Sequence, residues 1–253
     1  MTFDQRFQGQ VAVVTGGGSG IGLGIGARLA REGASVVLAD INEAALAQAG
    51  AKLGESNGSV QTARADVTDE AAVAGLFQSV LDQFGSLDVV VNCAGIVGKT
   101  AADIHDYDLT SFRQVLDVNL IGSFLITKYA LQAMRPRGYG RILLLASIAG
   151  KEGNPGMAGY SVSKAGVIGL AKAIGKESAH TEITVNALAP ALIATPLLLA
   201  ADEEALNYMT SKIPMGRLGT VEEAAAIACW IVSREASFST GAVFDLSGGR
   251  ATY

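Results

Sequence analysis

Tyr160 and Lys164 stand four residues apart in Tyr160-Ser-Val-Ser-Lys164, so on a helix they share one face. An unperturbed phenol has a pKa of about 10, and a tyrosine that accepts an alcohol's proton near neutrality must be held below that value. An ammonium one helical turn away acts in that direction, because a nearby cation favours the phenolate. Ser147, 13 residues before Tyr160, adds a hydroxyl able to hydrogen-bond an oxygen whose charge changes in a transition state.

A second group of residues points to a phosphate-bearing ligand. Val11–Thr15 runs into Gly16-Gly-Gly-Ser-Gly20-Ile-Gly22, a β-branched run, a glycine turn and a helix start. Glycines allow tight turns with positive φ and let the backbone approach a pyrophosphate, while a helix N-terminus offers unpaired N–H groups and partial positive charge. Asp40, 18 residues after Gly22, closes the second apolar run. A carboxylate there accepts hydrogen bonds from adenosine ribose hydroxyls and repels a 2′-phosphate. No Lys or Arg lies in Gly16–Gly22, and Ile41 follows Asp40, which favours NAD over NADP. The same side chain could instead cap the helix beginning near Asn42. Asp66-Val67 could meet adenine or serve as a turn. Asn92-Cys-Ala-Gly95 supplies small residues past which a ligand can lie. Cys93 reads as a small packing residue rather than a nucleophile.

These groups need a scaffold. Seven short runs read as buried strands: Val11–Thr15, Ser35–Ala39, Val60–Ala65, Leu87–Asn92, Arg141–Ala146, Ile183–Leu188 and Ala242–Leu246. Six helical stretches alternate with them, around 20–32, 42–53, 69–84, 110–135, 157–179 and 220–233. This alternation predicts parallel βαβ units in a three-layer α/β domain, and continuously apolar strands fit a sheet covered on both faces. The segment 189–219 breaks the alternation and carries a short helix near 202–212. It lies beyond a strand's carboxyl end, where open α/β sheets bind ligands, and reads as a substrate lid.

Composition excludes other classes. Of 253 residues 49% are hydrophobic and 17% charged, which excludes disorder. Two cysteines (Cys93, Cys229) and two histidines (His105, His180) exclude a disulfide scaffold and leave no zinc or other metal cluster. A net charge of −5 without a basic stripe argues against nucleic acid as a partner. No uncharged apolar run is long enough for a transmembrane helix, and the polar start, Met1–Gln10, carries no apolar targeting segment. A cytoplasmic location away from the membrane is expected. Glycine is abundant, 31 residues, seven of them within Gly16–Gly26.

Taken together, Thr15–Gly22, Asn92–Gly95, Asn119, Ser147 and Tyr160-x-x-x-Lys164 make the chain resemble the short-chain dehydrogenase/reductase family from the first strand to the last. The resemblance implies one Rossmann-type three-layer domain over 1–253, with a seven-stranded parallel sheet flanked by helices. It implies Tyr160 as general acid/base, Lys164 as a ligand of the nicotinamide ribose, Ser147 polarising the substrate oxygen and Asn119 supporting a water chain behind Lys164. It places Gly16, Ser19, Gly20, Ile21 and Gly22 at the pyrophosphate of NAD, Asp40 at the ribose, and Asp66 and Val67 at adenine. Asn92, Gly95, Pro190, Ile193 and Thr195 complete the cofactor contacts. Cys93 replaces a usual Asn, and Pro190-Ala191 a usual Pro-Gly.

Polar Glu152 and Asn154, between Ser147 and Tyr160, are substrate candidates alongside those two residues. With the lid and the C-terminal tail they make the chain similar to bacterial dehydrogenases of 2-keto-3-deoxy sugar acids. That implies NAD-linked oxidation of a secondary hydroxyl. A reductase of ketones or 3-oxoacyl thioesters is the alternative, against which Asp40 argues. Lys151, Arg217 or Arg250 could meet a substrate carboxylate, and the sequence does not choose among them. The helices at 110–135 and 157–179 are apolar on more than one face. In the family they form an interface, which implies a homotetramer and brings the tail within reach of a neighbouring subunit.

Overall fold

The computed structural model describes residues 5–54, 59–199 and 203–251. In chain order the elements are β1 (Val11–Thr15), α1 (Gly20–Arg31), β2 (Ser35–Asp40), α2 (Glu43–Leu53), β3 (Val60–Arg64), α3 (Glu70–Phe84) and β4 (Val89–Asn92). Then come α4 (Leu109–Leu116), α5 (Gly122–Met134), β5 (Tyr139–Leu145), α6 (Ala149–Glu152), α7 (Ala158–Glu177) and β6 (Glu182–Pro190). The last are α8 (Pro196–Leu199), α9 (Glu203–Ser211), α10 (Val221–Ile231) and β7 (Val243–Leu246).

The seven strands form one parallel sheet in the order β3-β2-β1-β4-β5-β6-β7. Successive residues of a strand face opposite sides, so each central strand feeds two cores. Val13, Val90, Ile142 and Val185 enter one; Val14, Val91, Leu143 and Leu188 enter the other. That two-sided burial is why these strands read as uninterrupted apolar runs. The strand order reverses between β1 and β4, and a crevice opens there beyond their carboxyl ends. Thr15 pairs in register with Asn92 at this point, so the glycine loop and the Cys93–Gly95 segment leave the sheet side by side.

Local signals end the helices where the site needs them. Asn42 and Asp69 cap α2 and α3 through their carboxyl or amide oxygens. Thr220 and Glu223 cap α10 reciprocally. The helix expected over 110–135 is not continuous. Between α4 and α5, Asp117–Ile121 forms a π-helical turn, the kind of bulge that re-aims a side chain at functional sites. It turns the fully buried Asn119 inward. Strand limits also differ: β4 starts at Val89 rather than Leu87, β5 at Tyr139 rather than Arg141, and β6 runs on to Pro190.

The segment expected as a lid does depart from the sheet. Its neck is closed by a bridge between Ile193 and Gly219, with Ala194 N–H donating to the Gly219 carbonyl at 2.8 Å. Helices α8 and α9 lie within it; residues 200–202 fall outside the described residues. Among the described residues no helix is long and apolar enough to cross a membrane.

Candidate active site

A cleft of about 530 Å³ opens at the β1/β4 crevice. Gly16, Ser19, Gly20, Ile21 and Gly22 form its floor, Asp40, Asp66 and Val67 one wall, and Cys93, Ala94, Gly95 and Thr195 the other. The glycines are there because nothing larger fits. A Cβ on Gly22 would lie 2.2 Å from the Gly16 carbonyl oxygen, and one on Gly16, which has a φ of 63°, would lie 2.8 Å from the Ala94 nitrogen. Ser19 precedes α1 without spending its hydroxyl on a cap. The cradle therefore keeps backbone and hydroxyl donors for an anion at a helix N-terminus, which fits a dinucleotide's pyrophosphate.

Asp40 accepts from Gly18 N–H at 3.1 Å through one oxygen and from Asn42 N–H at 3.0 Å through the other. It braces the glycine loop and faces the cleft at once; Asn42, not Asp40, caps α2. Asp66 accepts from the backbone and hydroxyl of Thr68 through one oxygen, and these bonds hold its carboxyl below the ordinary range. It is both a turn residue and part of the wall. Two expected contacts are placed otherwise. Asn92 accepts from Thr15 and donates to Ser123 at 2.9 Å, so its side chain is spent between sheet and helix. Ile193 is buried at the neck of the 189–219 segment, against Gly219.

A smaller hollow continues from this cleft, lined by Ile21, Cys93, Ser147, Tyr160, Lys164, Pro190 and Ala191. Tyr160 and Lys164 lie one turn apart near the start of α7, the ammonium 5.8 Å from the phenol's ring centre. Lys164 donates to the Leu145 carbonyl at 2.7 Å. Ser147 accepts from Ala149 N–H at 3.1 Å, which fixes its hydroxyl at the start of α6. Helix α6 lies hard against α7, since a Cβ on Gly150 would come 2.5 Å from the Lys164 carbonyl carbon. Asn119 brackets Ile96, accepting from its N–H at 2.8 Å and donating to its carbonyl at 2.9 Å, and also donates to Ser163. It ties the loop after β4 to α7, one residue before Lys164.

The electrostatics differ from the expectation of a depressed phenol. Burial raises Tyr160 above its ordinary value, only partly offset by a hydrogen bond with Ser147. Burial also lowers Lys164 to about 8. Within the chain alone the proton stays on the phenol, and a further positive charge beside it is needed to release it. Cys93, on the same wall, is pushed up to about 12 by burial and is no nucleophile.

The lowered lysine has a measurable consequence. The folded ammonium releases its proton near pH 8, whereas the unfolded one holds it to 10.5, so the unfolded chain binds more protons in between and stability rises with pH. Above about pH 9 the thiols of half-buried Cys93 and buried Cys229 oppose this, because they keep protons that unfolded thiols lose. Urea unfolding of the wild type should therefore gain about 1 kcal/mol over Lys164→Met between pH 8 and 9. Parallel pH curves for the two proteins would show that the ammonium is not desolvated.

The three cations left open by the sequence have separate fates. Lys151 is buried, donating to Asp245 at 3.0 Å and to the Ala251 carbonyl at 2.8 Å. Arg217 is exposed and grips both oxygens of Glu223, at 2.9 and 2.6 Å. Arg250 lies beside Glu152 at 3.2 Å and Asn154 at 3.4 Å. The tail through Ala251 thus folds onto its own subunit; Thr252 and Tyr253 lie outside the described residues. Sequence reading missed Gln114 and Val118, which line the large cleft from α4 and the π-turn. Nothing in their local pattern marks them, because the packing of α4 and the π-turn beside β4 brings them there.

Comparison with known proteins agrees with this geometry. The family described as "Enoyl-(Acyl carrier protein) reductase" matches residues 16–251. The NAD(+)-dependent 2-dehydro-3-deoxy-L-rhamnonate dehydrogenase of Sphingomonas sp. (strain SKA58) is 44% identical over 99% of both chains. The cis-4-hydroxycyclohexanecarboxylate dehydrogenase of Sinomonas cyclohexanicum is 38% identical over 97% of this chain and 98% of its own. The crystal structure of an NAD+-bound xylitol dehydrogenase superposes with a TM-score of 0.93 at 33% identity, covering 97% of this chain and all of that one.

Proposed function

Because the chain belongs to the short-chain dehydrogenase/reductase family, we propose that it oxidises a secondary hydroxyl of a sugar acid, of the 2-keto-3-deoxy aldonate class, to a ketone with NAD. The observation that carries the reaction class is the hollow in which Ser147, Tyr160 and Lys164 converge beside the Asp40-walled cleft. The sugar-acid reading is supported by polar Glu152 and Asn154, which stand between the two catalytic positions in the chain and bond Arg250, and by the relatives that act on hydroxylated carboxylic acids.

In this reading Ser147 hydrogen-bonds the substrate oxygen and Tyr160 takes the hydroxyl proton. Lys164, still largely charged at neutrality with its value at about 8, steadies the phenolate and binds the nicotinamide ribose. Asn119 holds Ile96 and α7 in register around them. Gly16, Ser19, Gly20, Ile21 and Gly22 would hold the pyrophosphate, Asp40 the adenosine ribose and Asp66 with Val67 the adenine, with Thr195 and Pro190 on the nicotinamide side. What NAD supplies when bound is the acceptor for the hydride that leaves the carbon.

The competing reading, reduction of a 3-oxoacyl thioester, sits poorly with a carboxylate where the 2′-phosphate of NADPH would lie. We also assign the exposed apolar residues Ile121, Phe124 and Val162 to contact with a second subunit, as part of a cytoplasmic homotetramer. A panel of sugar acids, polyols and simple secondary alcohols with NAD, followed as NADH absorbance, tests the substrate class. Sugar acids should give the highest kcat/KM. Preference for neutral polyols, or for thioester reduction with NADPH, would overturn it.

A further inference from the structure

The tail after β7 is bolted in place. Ser247 donates to Asp245 and accepts from Ala251 N–H at 3.0 Å, and the buried Lys151 joins Asp245 to the Ala251 carbonyl. On its other side the tail meets the end of the 189–219 segment, where Met215 N–H donates to the Gly248 carbonyl at 3.1 Å. A Cβ on Gly249 would come 3.3 Å from Pro214. This fixed turn carries Arg250 to the residues that connect Ser147 with Tyr160. Glu152 ends the short helix α6, which starts two residues after Ser147, and Asn154 N–H donates to Ser161, the neighbour of Tyr160, at 3.0 Å.

The guanidinium is not fully used there. Its Nε and Nη2 both point to the same Glu152 oxygen at 3.2 Å, and Nη2 reaches Asn154 only at 3.4 Å. Among the described residues Nη1 has no hydrogen-bond acceptor, although the side chain is only 15% exposed. Glu152 thus occupies the Nε edge of the fork and leaves the Nη1 end open. A planar guanidinium binds a carboxylate through two parallel bonds, and one already held in place loses little freedom on doing so. Lys151 and Arg217 lack this opportunity: one is buried against a carboxylate, and the other has both nitrogens of its end on Glu223.

We propose that Arg250 receives the substrate's carboxylate through its Nη end, with Glu152 and Asn154 holding the fork in position, and so sets the enzyme's preference for acids. The proposal rests on the sugar-acid reading, which the experiment tests separately. Steady-state kinetics with a 2-keto-3-deoxy aldonate and its methyl ester are compared for the wild type, Arg250→Met and Arg250→Lys, with NADH affinity measured for each. The wild type should prefer the acid. Arg250→Met should lose about 50-fold in kcat/KM for the acid, chiefly through KM, and at most about threefold for the ester. Arg250→Lys, which keeps the charge without the fork, should fall between them.

Equal losses for acid and ester in Arg250→Met, with NADH affinity retained, would overturn the assignment. Should Arg250→Met lose NADH affinity, Arg250→Lys decides: a wild-type acid-to-ester ratio in that variant overturns it and a reduced ratio supports it. A wild-type enzyme that treats acid and ester alike would instead remove the sugar-acid reading itself.

Discussion

Tyr160→Phe should lower kcat by about 10³-fold, within the range ascribed to a positioned general acid or base, and leave NADH affinity within about twofold. The two effects separate because the hydroxyl and the ring serve different ends. The ring helps wall the hollow beside Lys164, and phenylalanine keeps it. In the proposed reaction the hydroxyl alone exchanges the proton, and no neighbour is placed to replace it. Lys164 is directed at the Leu145 carbonyl, Ser147 is held by Ala149 N–H, and Cys93 is held near 12. Stopped-flow or steady-state turnover with a fluorescence titration of NADH measures both quantities. Turnover within tenfold of wild type would mean another group takes the proton.

Asp40→Asn should change the ratio of kcat/KM for NAD over NADP by about 10²-fold or more. A hydrogen bond to a charged acceptor contributes about 1.5–3 kcal/mol, and removing the charge also removes the repulsion of a 2′-phosphate. Asparagine is the informative replacement because the wild-type side chain braces the loop through Gly18 and Asn42. The amide keeps one acceptor and sets a donor against the other backbone N–H, so half of that brace is lost; an unchanged melting temperature, measured alongside, shows that a shift in the ratio reports on charge and not on a collapsed turn. A ratio that moves by less than about fivefold would reduce Asp40 to a structural brace.

The parts of this site that could be read from sequence are those determined locally. The glycine turn, the acid after β2 and the Tyr160–Lys164 pair each depend on a few neighbouring residues and on the alternation of apolar runs that builds the sheet. What could not be read depends on partners far along the chain. Asp117–Ile121 has an ordinary helical pattern; it becomes a π-turn because Asn119 is drawn to Ile96 and Ser163. Asn92 follows the expected strand, yet its amide is claimed by Thr15 and Ser123. Lys151, Arg217 and Arg250 are equivalent as letters. Only folding shows that one is a bolt, one is paired on the surface and one keeps an open end. Strand limits slipped at Val89 and Tyr139 because pairing, not composition, decides where a ladder stops.

The placement of β1 between β2 and β4 also bears on the order in which the protein can form. The first 40 residues contain the whole glycine turn and the Asp40 carboxylate. Yet the space around Gly16 is bounded by the backbone of Cys93 and Ala94, which arrive with β4, and Thr195 closes over Gly20 from still farther along. A chain that has made only its first βαβ unit therefore holds the letters of the nucleotide cradle without its walls. Such long-range pairing slows folding, since loop closure must precede the contacts that reward it. NAD can then act on this protein as a stabiliser of the finished fold but not as a template early in folding.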